Sequence, residues 1–137
     1  MNEGAFELPA VAMTDRTTHV VEVKRGPHPL TLVVCRFPLL AGKSLRQVAQ
    51  LRVAEEMDRL DGYSIVAEGD AAWDAVPALE FTSRWRHDGG VVYQRQAYLA
   101  LGGRWLLFAL STAFENRAAA DAWFEQIRES VRLRSDA

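Results

Sequence analysis

Apolar residues dominate three consecutive extended runs between Val76 and Thr112, and each run is long enough for a β-strand. The runs are VPALEFTSRWRH, GVVYQRQAYLAL and RWLLFALST. Asp88-Gly89 lies between the first two runs, and Gly102-Gly103 lies between the last two. Both pairs suit two-residue hairpin turns, because such turns need positive φ angles at their central positions. The segment is therefore predicted to be an antiparallel meander of three strands.

Two-residue turns fix which residues oppose one another and so assign each position to one face of the meander. One face, called the aromatic face from here on, contains Phe81, Ser83, Trp85, Val92, Gln94, Gln96, Tyr98, Trp105, Leu107 and Ala109. The opposite face is also rich in apolar positions. Neither face shows the regular polar alternation of a sheet surface that faces water. Both faces are therefore predicted to be covered.

Four further strands are predicted from short apolar or alternating runs that end at proline or glycine. The third of them, LTLVVCRF, is predicted to be a central strand, because it is almost entirely apolar, as expected of a strand buried on both faces. The first is expected to be a short edge strand. In chain order the four predicted strands are Gly4–Leu8, Thr17–Lys24, Leu30–Phe37 and Tyr63–Glu68.

A helix is predicted over Leu45–Leu60. Ser44 and Gln47 have the spacing of a capping box, and Gly62 suits the left-handed residue that often follows a helix. Charged residues lie near the apolar stripe of this helix, so we expect the helix to be used on more than one side. The apolar stripe contains Leu45, Ala49, Val53, Met57 and Leu60, and the charged residues beside it are Arg52 and Glu56.

A second helix is predicted from Arg117 to about Val131, with Asn116 as its cap and apolar residues at helical spacing. The last residues, LRSDA, are expected to be a frayed tail. The resulting order is β-β-β-α-β-β-β-β-α. We therefore predict an α+β fold with a mostly antiparallel sheet of about six to seven strands and two main helices, formed by a single domain over residues 1–137.

Composition narrows the classes of partner. The chain has 137 residues, of which 49% are hydrophobic and 25% charged, and its formal net charge is −2. Mixed charges with no basic excess argue against a nucleic-acid or anionic membrane surface as the partner. The amino-terminal sequence lacks the pattern of a secretory signal, and no apolar run approaches the ~20 residues of a membrane helix. A cytoplasmic protein that does not itself insert into a membrane is expected.

The sequence offers no catalytic or metal-binding set. The three histidines, His19, His28 and His87, have no Cys or carboxylate at ligand spacing, so no metal site is expected. Cys35, the only cysteine, lies in an apolar run and is interpreted as a small buried hydrophobe. A solvated helix face explains the clustered carboxylates better than an acid/base pair does, and these are Glu55, Glu56, Asp58 and Asp61. No enzyme activity and no cofactor are predicted.

The aromatic face is the unusual feature of the sequence, because Gln94 and Gln96 interrupt its large apolar residues. An ordinary core with glutamines that reach water would explain this pattern. An apolar groove with a few placed polar groups would explain it equally well. In the second case, the amide of Gln96 is expected to need a partner, which a bound client could supply.

Several segments resemble the Eag chaperones of bacterial type VI secretion, members of the DcrB-like group with a PsbP-like fold. These segments are NEGAFELP near the start, SRWR before the first turn, VVYQRQAYL after it, and the W-F-x-x-I-x-x-S pattern of the last helix. The resemblance extends over essentially the whole chain. It implies a cytoplasmic homodimer that binds the N-terminal transmembrane segments of a PAAR-containing effector before the effector is loaded onto the secretion spike.

The resemblance also implies which residues line the cradle for the effector segment. Carried onto this chain, the effector-binding positions are Val21, Val23, Gln50, Ala54, Val92, Gln96 and Tyr98. An apolar cradle suits this role physically, because a transmembrane helix held in water exposes about 20 apolar residues. Two alternatives remain open, a carrier for a small lipophilic ligand and an adaptor for another protein, because a fold alone does not decide function.

Overall fold

The computed structural model of the chain describes residues 6–9, 18–24, 28–38, 43–101 and 103–134. Eight strands and two α-helices are formed within these ranges. The helices are α1 (Leu45–Arg59) and α2 (Arg117–Ser130), and a short 3-10 helix, Phe114–Asn116, leads into α2. The strands are β1 (Phe6–Pro9), β2 (Thr18–Lys24), β3 (Pro29–Pro38), β4 (Ser64–Trp73), β5 (Val76–His87), β6 (Gly90–Leu101), β7 (Arg104–Ala113) and β8 (Val131–Arg134).

Six of the strands form one antiparallel sheet in the order β2-β3-β7-β6-β5-β4. The other two, β1 and β8, pair in parallel in a separate small sheet. A mostly antiparallel sheet with two α-helices is an α+β architecture, as the order of sequence elements predicted. In the large sheet, β2 and β4 are the edge strands and β7 and β6 are central.

The predicted meander is confirmed, including its register. His87 pairs with Gly90 across the first turn, and Leu101 pairs with Arg104 across the second. Asp88 and Gly89 both have positive φ angles, 50° and 77°, as a two-residue turn of this hand requires. The faces assigned to the meander from sequence are therefore the faces that the strands form.

Strand β4 is longer than the sequence indicated. It extends from Ser64 to Trp73 rather than from Tyr63 to Glu68, and it forms a further hairpin with β5. The turn of this hairpin is Asp74-Ala75, whose φ angles are 49° and 65°. Residues other than glycine seldom adopt this conformation. Because neither residue of this turn is glycine, the sequence carries no signal for it. The β4–β5 register also shifts between Ile65 and Ala67, which marks a bulge at Val66.

The first helix begins and ends close to its predicted limits. The Ser44 side chain accepts a hydrogen bond from the Gln47 amide at 3.2 Å, and the Gln47 side chain accepts one from the Ser44 amide at 2.8 Å. The helix ends at Arg59, and Gly62 has a φ angle of 64° in the turn that follows. Both halves of the predicted capping box are therefore present.

The second helix has its predicted limits to within one residue, but the residues that flank it behave differently from prediction. Asn116 is the N-cap residue but caps no amide, because its side chain donates instead to the His28 carbonyl and the Thr112 hydroxyl at 3.1 and 3.2 Å. At the other end, Leu133 and Arg134 of the predicted frayed tail belong to β8, which pairs with β1, and the rest of that tail lies outside the described residues. Long-range pairing of two four-residue strands leaves no local sequence signal.

Each helix covers one face of the large sheet, as predicted for two apolar faces. On the face opposite the aromatic face, α2 packs its buried residues on a large aromatic and aliphatic core. Trp73 is fully buried there, with its ring centroid 4.8 Å from that of Phe108 and 5.4 Å from that of Phe124. The residues that α2 contributes to this core are Ala120, Trp123, Phe124 and Ile127.

Glu80 ties α2 to the sheet through an ionic network. Its carboxylate accepts hydrogen bonds from the Trp73 indole at 2.8 Å and from the Arg128 guanidinium at 3.0 Å. Arg95 lies 3.8 Å from the same carboxylate, and only 14% of the Glu80 side chain is exposed. A carboxylate this buried is tolerated because several donors surround it. In the part of the chain that the structure describes, no helix is long and apolar enough to cross a membrane.

Candidate functional site

Three strands of the meander bring the predicted aromatic face together. Gln96 pairs with Phe81 on one side and with Ala109 on the other, and Tyr98 pairs with Leu107. Strand β3 extends this face through four positions opposite β7: Thr31, Val33, Cys35 and Phe37. The face therefore crosses at least four strands of the sheet, with β3 next to β7.

Helix α1 covers part of this face. Its buried apolar residues, Val48, Ala49 and Val53, form one cluster with residues of β5, β6 and β7. Gln96 and Tyr98 lie beneath the helix, with 1% and 0% of their surfaces exposed. The strand residues in the cluster are Leu79, Phe81, Tyr98, Trp105, Leu107 and Ala109.

A polar network joins the buried glutamine to the helix. The Gln96 amide donates to both carboxylate oxygens of Glu56, at 3.2 and 3.3 Å, and the Tyr98 hydroxyl donates to the Gln96 carbonyl oxygen at 3.3 Å. The Tyr63 hydroxyl also donates to Glu56, at 3.3 Å. Burial raises the pKa of Tyr98, and the Glu56 charge adds to the rise, so the hydroxyl keeps its proton. Glu56 is itself buried, which corrects the expectation that it lies on a solvated face.

The rest of the aromatic face is left partly open beyond the end of α1. We call this region the open strip, and it consists of Thr31, Trp85, Val92, Gln94, Ser111 and Ala113. All of these residues except Gln94 are half-buried. Their mixture of an indole, aliphatic groups and small polar groups is typical of a surface that binds an apolar partner.

Gln94 is the polar centre of the open strip. Its amide donates to the Ser111 hydroxyl at 3.2 Å, and its carbonyl oxygen has no hydrogen-bond partner among the described residues. Trp85 lies beside it on the neighbouring strand, stacked against Tyr63 with 6.1 Å between ring centroids. The strip thus combines a large aromatic surface with an unused acceptor, which is costly when it stays unpaired.

The predicted effector-binding residues lie in different places relative to this strip. Val92 belongs to it, whereas Gln96 and Tyr98 are buried under α1. Gln50 and Ala54 are exposed on the outer surface of α1, away from the sheet. Leu51 and Met57 lie on that same outer surface and are 48% and 51% exposed, so the surface is partly apolar.

Val21 and Val23 lie on the edge strand β2. They pair with Leu32 and Leu30, which belong to the core beneath α2. The β2–β3 register therefore places these two positions on the side of the sheet opposite Gln96. As a result, the seven predicted positions do not meet in one surface within a single copy of the chain.

Two residues of the site were absent from the predicted set. Trp85 and Gln94 lie in the open strip beside Val92, and both were already assigned to the aromatic face by the hairpin register. These two residues differ from the rest of the aromatic face in lying away from the part that α1 covers. Sequence patterns do not show where a helix docks on a sheet, so they could not have revealed this difference. Among the described residues, no group of His, Cys, Asp or Glu side chains is arranged to hold a metal ion.

Comparison with known proteins identifies the family of the chain and its fold. A family model described as DcrB matches residues 3–130. No curated protein matches the chain significantly. Solved structures do match it, but at sequence identities so low that they show the fold alone.

Three solved structures share the fold over most of their length. PA94 from Pseudomonas aeruginosa, a protein of unknown function suggested to be a regulator, aligns with a TM-score of 0.78 at 15% identity, over 90% of this chain and 87% of its own. LpqN, involved in cell envelope biogenesis of Mycobacterium tuberculosis, aligns with a TM-score of 0.58 at 10% identity, over 89% and 86%. CyanoP, the cyanobacterial PsbP of Synechocystis sp. PCC 6803, aligns with a TM-score of 0.58 at 15% identity, over 82% and 79%.

Proposed function

The chain belongs to the DcrB family, and from this we propose that it is a chaperone of type VI secretion. In this role it binds the N-terminal transmembrane helices of a PAAR-containing effector, shields them from water and assists loading of the effector onto the secretion spike. The proposal combines the family with the sequence resemblance to Eag chaperones. It also needs a surface that can hold an apolar helix, and the open strip supplies a candidate.

The open strip is the observation that carries the proposal. Trp85, Val92 and Ala113 present apolar groups on adjacent strands, and all three are partly exposed at the end of the sheet that α1 leaves open. Burying apolar surface stabilises a complex by roughly 25 cal/mol per Å². A client helix laid across the strip would bury this surface together with its own apolar face, so both partners would lose exposure to water.

The size of the strip indicates how much of a client it can shield. It crosses β3, β7, β6 and β5, and strands about 4.8 Å apart make three intervals of about 14 Å in total. A helix rises about 1.5 Å per residue, so this width faces roughly 10 residues of a client. A transmembrane helix has about 20 residues, so one strip would shield about half of its length.

A second apolar surface is therefore part of the proposal. We infer that the chaperone acts as a homodimer, in which two copies offer two strips to one client. Leu51, Ala54 and Met57 are exposed on the outer surface of α1. This apolar surface is available to a second copy of the chain or to a further client segment. Gln50 lies on the same surface and would provide a polar contact there.

Gln96 and Tyr98 take a supporting role in this proposal. Both are buried under α1, Gln96 donates to Glu56 of that helix, and Tyr98 donates to Gln96. They therefore hold the helix on the sheet rather than contact a client directly. Gln94 takes the role first expected of Gln96. Its carbonyl oxygen is buried and has no hydrogen-bond partner among the described residues, so a rotation of the side chain would present it to a polar group of the client.

A carrier of small lipophilic molecules is the competing function. It would need an apolar cavity of about 300–1,000 Å³. Two clefts among the described residues have suitable volumes, about 500 and 460 Å³, but charged residues line both of them. Such walls suit a lipophilic ligand poorly. The open strip, which is a surface rather than a cavity, favours a protein segment.

Co-purification with a candidate effector tests the proposed function. The effector is a PAAR protein with N-terminal hydrophobic segments encoded beside this chain, and it is expressed with the tagged chain in two forms, whole and without those segments. Retention of the whole effector alone supports the chaperone function. Retention of both forms, or of neither, contradicts it.

A further inference from the structure

The cleft of about 500 Å³ introduced above lies on the face of the sheet opposite the aromatic face, where α2 begins. Its volume is within the usual range of ligand sites of about 300–1,000 Å³. The cleft lies between the β4 edge, at the Val66 bulge, and the start of α2. Its lining residues are Ser64, Ile65, Val66, Arg84, Tyr93, Phe114, Arg117 and Asp121.

Two arginines in this cleft share one aromatic ring. The guanidinium carbon of Arg117 is 4.2 Å from the centroid of the Phe114 ring, and that of Arg84 is 5.8 Å from it. Both side chains are exposed. Stacking on a ring orients a guanidinium group while leaving its edge N–H groups free to donate.

Neither arginine has a carboxylate partner among the described residues. Arg117 donates to the Phe114 carbonyl oxygen at 3.1 Å, and the Arg84 side chain contacts the ring but forms no hydrogen bond with another described residue. Two of the other exposed arginines among the described residues do form ion pairs, Arg46 with Asp70 and Arg86 with Asp61. Two unpaired, ring-oriented guanidinium groups in one cleft therefore form a positively charged recess.

The acidic residue of the cleft does not neutralise this recess, because other donors already use it. Asp121 accepts hydrogen bonds from the Tyr93 hydroxyl at 2.6 Å and from the Arg95 guanidinium at 2.8 Å. Burial raises the pKa of Tyr93 to about 12, and the Asp121 hydrogen bond adds to the rise, so the hydroxyl keeps its proton and remains a donor.

We propose that this cleft is a binding site for an acidic side chain in an extended peptide segment of a partner protein. Arg84 and Arg117 bind the carboxylate, and Phe114 and Val66 contact an apolar residue next to it. A guanidinium fork matches the planar geometry of a carboxylate and can donate two parallel hydrogen bonds to it. Val66 is 56% exposed, so an apolar neighbour of the acid would have a surface to cover.

The cleft suits a carboxylate better than a phosphate group. Its apolar lining, which includes Phe114 and Val66, can contact the residue next to a carboxylate in a peptide but has no use in binding a free inorganic anion. This site is separate from the open strip and does not depend on the proposed chaperone function.

Titration followed by NMR tests the proposal on the full chain. The probe is N-acetyl-aspartyl-leucine amide, and its neutral counterpart is N-acetyl-asparaginyl-leucine amide. The side-chain Nε–H signals of Arg84 and Arg117 report occupancy. We expect the acidic probe to shift both signals and saturate in the millimolar range, with the neutral probe binding at least about tenfold more weakly, because a charge-assisted contact is lost.

Three variants locate the site. Arg84→Gln and Arg117→Gln should each lower the affinity for the acidic probe about tenfold. Arg59→Gln, which removes an exposed arginine from the last turn of α1, should leave it unchanged. Equal binding of the neutral probe, equal loss in Arg59→Gln, or inorganic phosphate binding as tightly as the acidic probe would each overturn the assignment.

Discussion

The amide of Gln96 on β6 donates to both carboxylate oxygens of Glu56 on α1, at 3.2 and 3.3 Å. Both residues are buried, with 1% and 6% of their surfaces exposed. The contact fixes α1 over one half of the aromatic face and leaves the other half open. It therefore separates the positions that stabilise the fold from those available to a client.

Replacement of Gln96 should destabilise the protein. Gln96→Ala removes a donor from the buried Glu56 carboxylate, and we expect the free energy of unfolding to fall by about 2 kcal/mol. Gln94→Ala is the matched change on the same strand and the same face. Gln94 is also buried, but it has only one hydrogen bond, to a neutral hydroxyl, so its loss should cost about 0.5–1.5 kcal/mol, less than the loss of Gln96.

Urea denaturation measures both stabilities, and a pull-down with the client measures binding. The account predicts that Gln94→Ala weakens binding, by up to roughly tenfold, with a smaller loss of stability than Gln96→Ala. Equal stability of Gln96→Ala and the unchanged protein would show that the contact with Glu56 does not hold α1 in place.

The ionic network around Glu80 should contribute strongly to stability. Glu80→Ala leaves the Arg128 and Arg95 charges and the Trp73 indole without their shared acceptor. Removal of one partner from a buried pair costs about 3–5 kcal/mol, and the partial exposure of Arg128 places this variant near the lower value. The thermal midpoint measured by circular dichroism should fall accordingly.

Glu125→Ala is the control for that change. Glu125 pairs with Arg128 at 2.8 Å, but 58% of the Glu125 side chain is exposed. An exposed pair contributes little, so this variant should lose less than about 1 kcal/mol. If the two variants lost similar amounts of stability, the stabilising role could not be assigned to the buried Glu80 carboxylate.

Stability should decline at alkaline pH in part through Tyr93. Burial raises the pKa of Tyr93 from 10.0 to about 12, and its hydrogen bond to Asp121 adds to the rise. A raised pKa means that the protonated form stabilises the fold fully below about pH 10, and this contribution is lost as the pH rises toward about 12. Tyr93→Phe should therefore show a shallower decline, measured by urea denaturation at each pH. An identical pH dependence in both proteins would contradict this.

The proposed homodimer should be visible in solution. The mass of one chain is 15.3 kDa, and light scattering should give twice that value at protein concentrations of tens of micromolar. Leu51→Glu combined with Met57→Glu should reduce the mass to that of a monomer if the outer surface of α1 is the interface. A monomeric mass for the unchanged protein at these concentrations would contradict the proposed homodimer.

Local signals were enough to predict the meander and the first helix. Asp88-Gly89 set a turn and its register, and Ser44 with Gln47 set a helix start, because each depends only on neighbouring residues. The Asp74-Ala75 turn could not be predicted in this way, since its left-handed residues are not glycine. The parallel pairing of β1 with β8 joins the two ends of the chain and has no local signal.

The candidate site was predictable only in part, for a related reason. The hairpin register placed Val92, Gln94 and Gln96 on one face, and the strands confirm this. Which of them stays accessible depends on where α1 docks, and that position is set by a tertiary contact between Glu56 and Gln96. Gln94 and Gln96, which lie two positions apart on the same face of β6, therefore have different surroundings.

The most direct test of the chaperone account compares Val92→Glu with Val91→Glu. The two valines are adjacent on β6 and both are accessible, but Val92 lies in the open strip and Val91 on the opposite face. A charge at position 92 should prevent capture of an apolar helix, whereas a charge at position 91 should not. Circular dichroism should show that both variants fold.

The measurement is the soluble fraction of a reporter fused to the effector's N-terminal apolar segment and co-expressed with each form of the chain. The account predicts a soluble reporter with the unchanged chain and with Val91→Glu, and an insoluble reporter with Val92→Glu or with no chaperone. A reporter that is equally soluble in all four cases, or one that a folded Val92→Glu variant keeps in solution as well as the unchanged chain does, would contradict it.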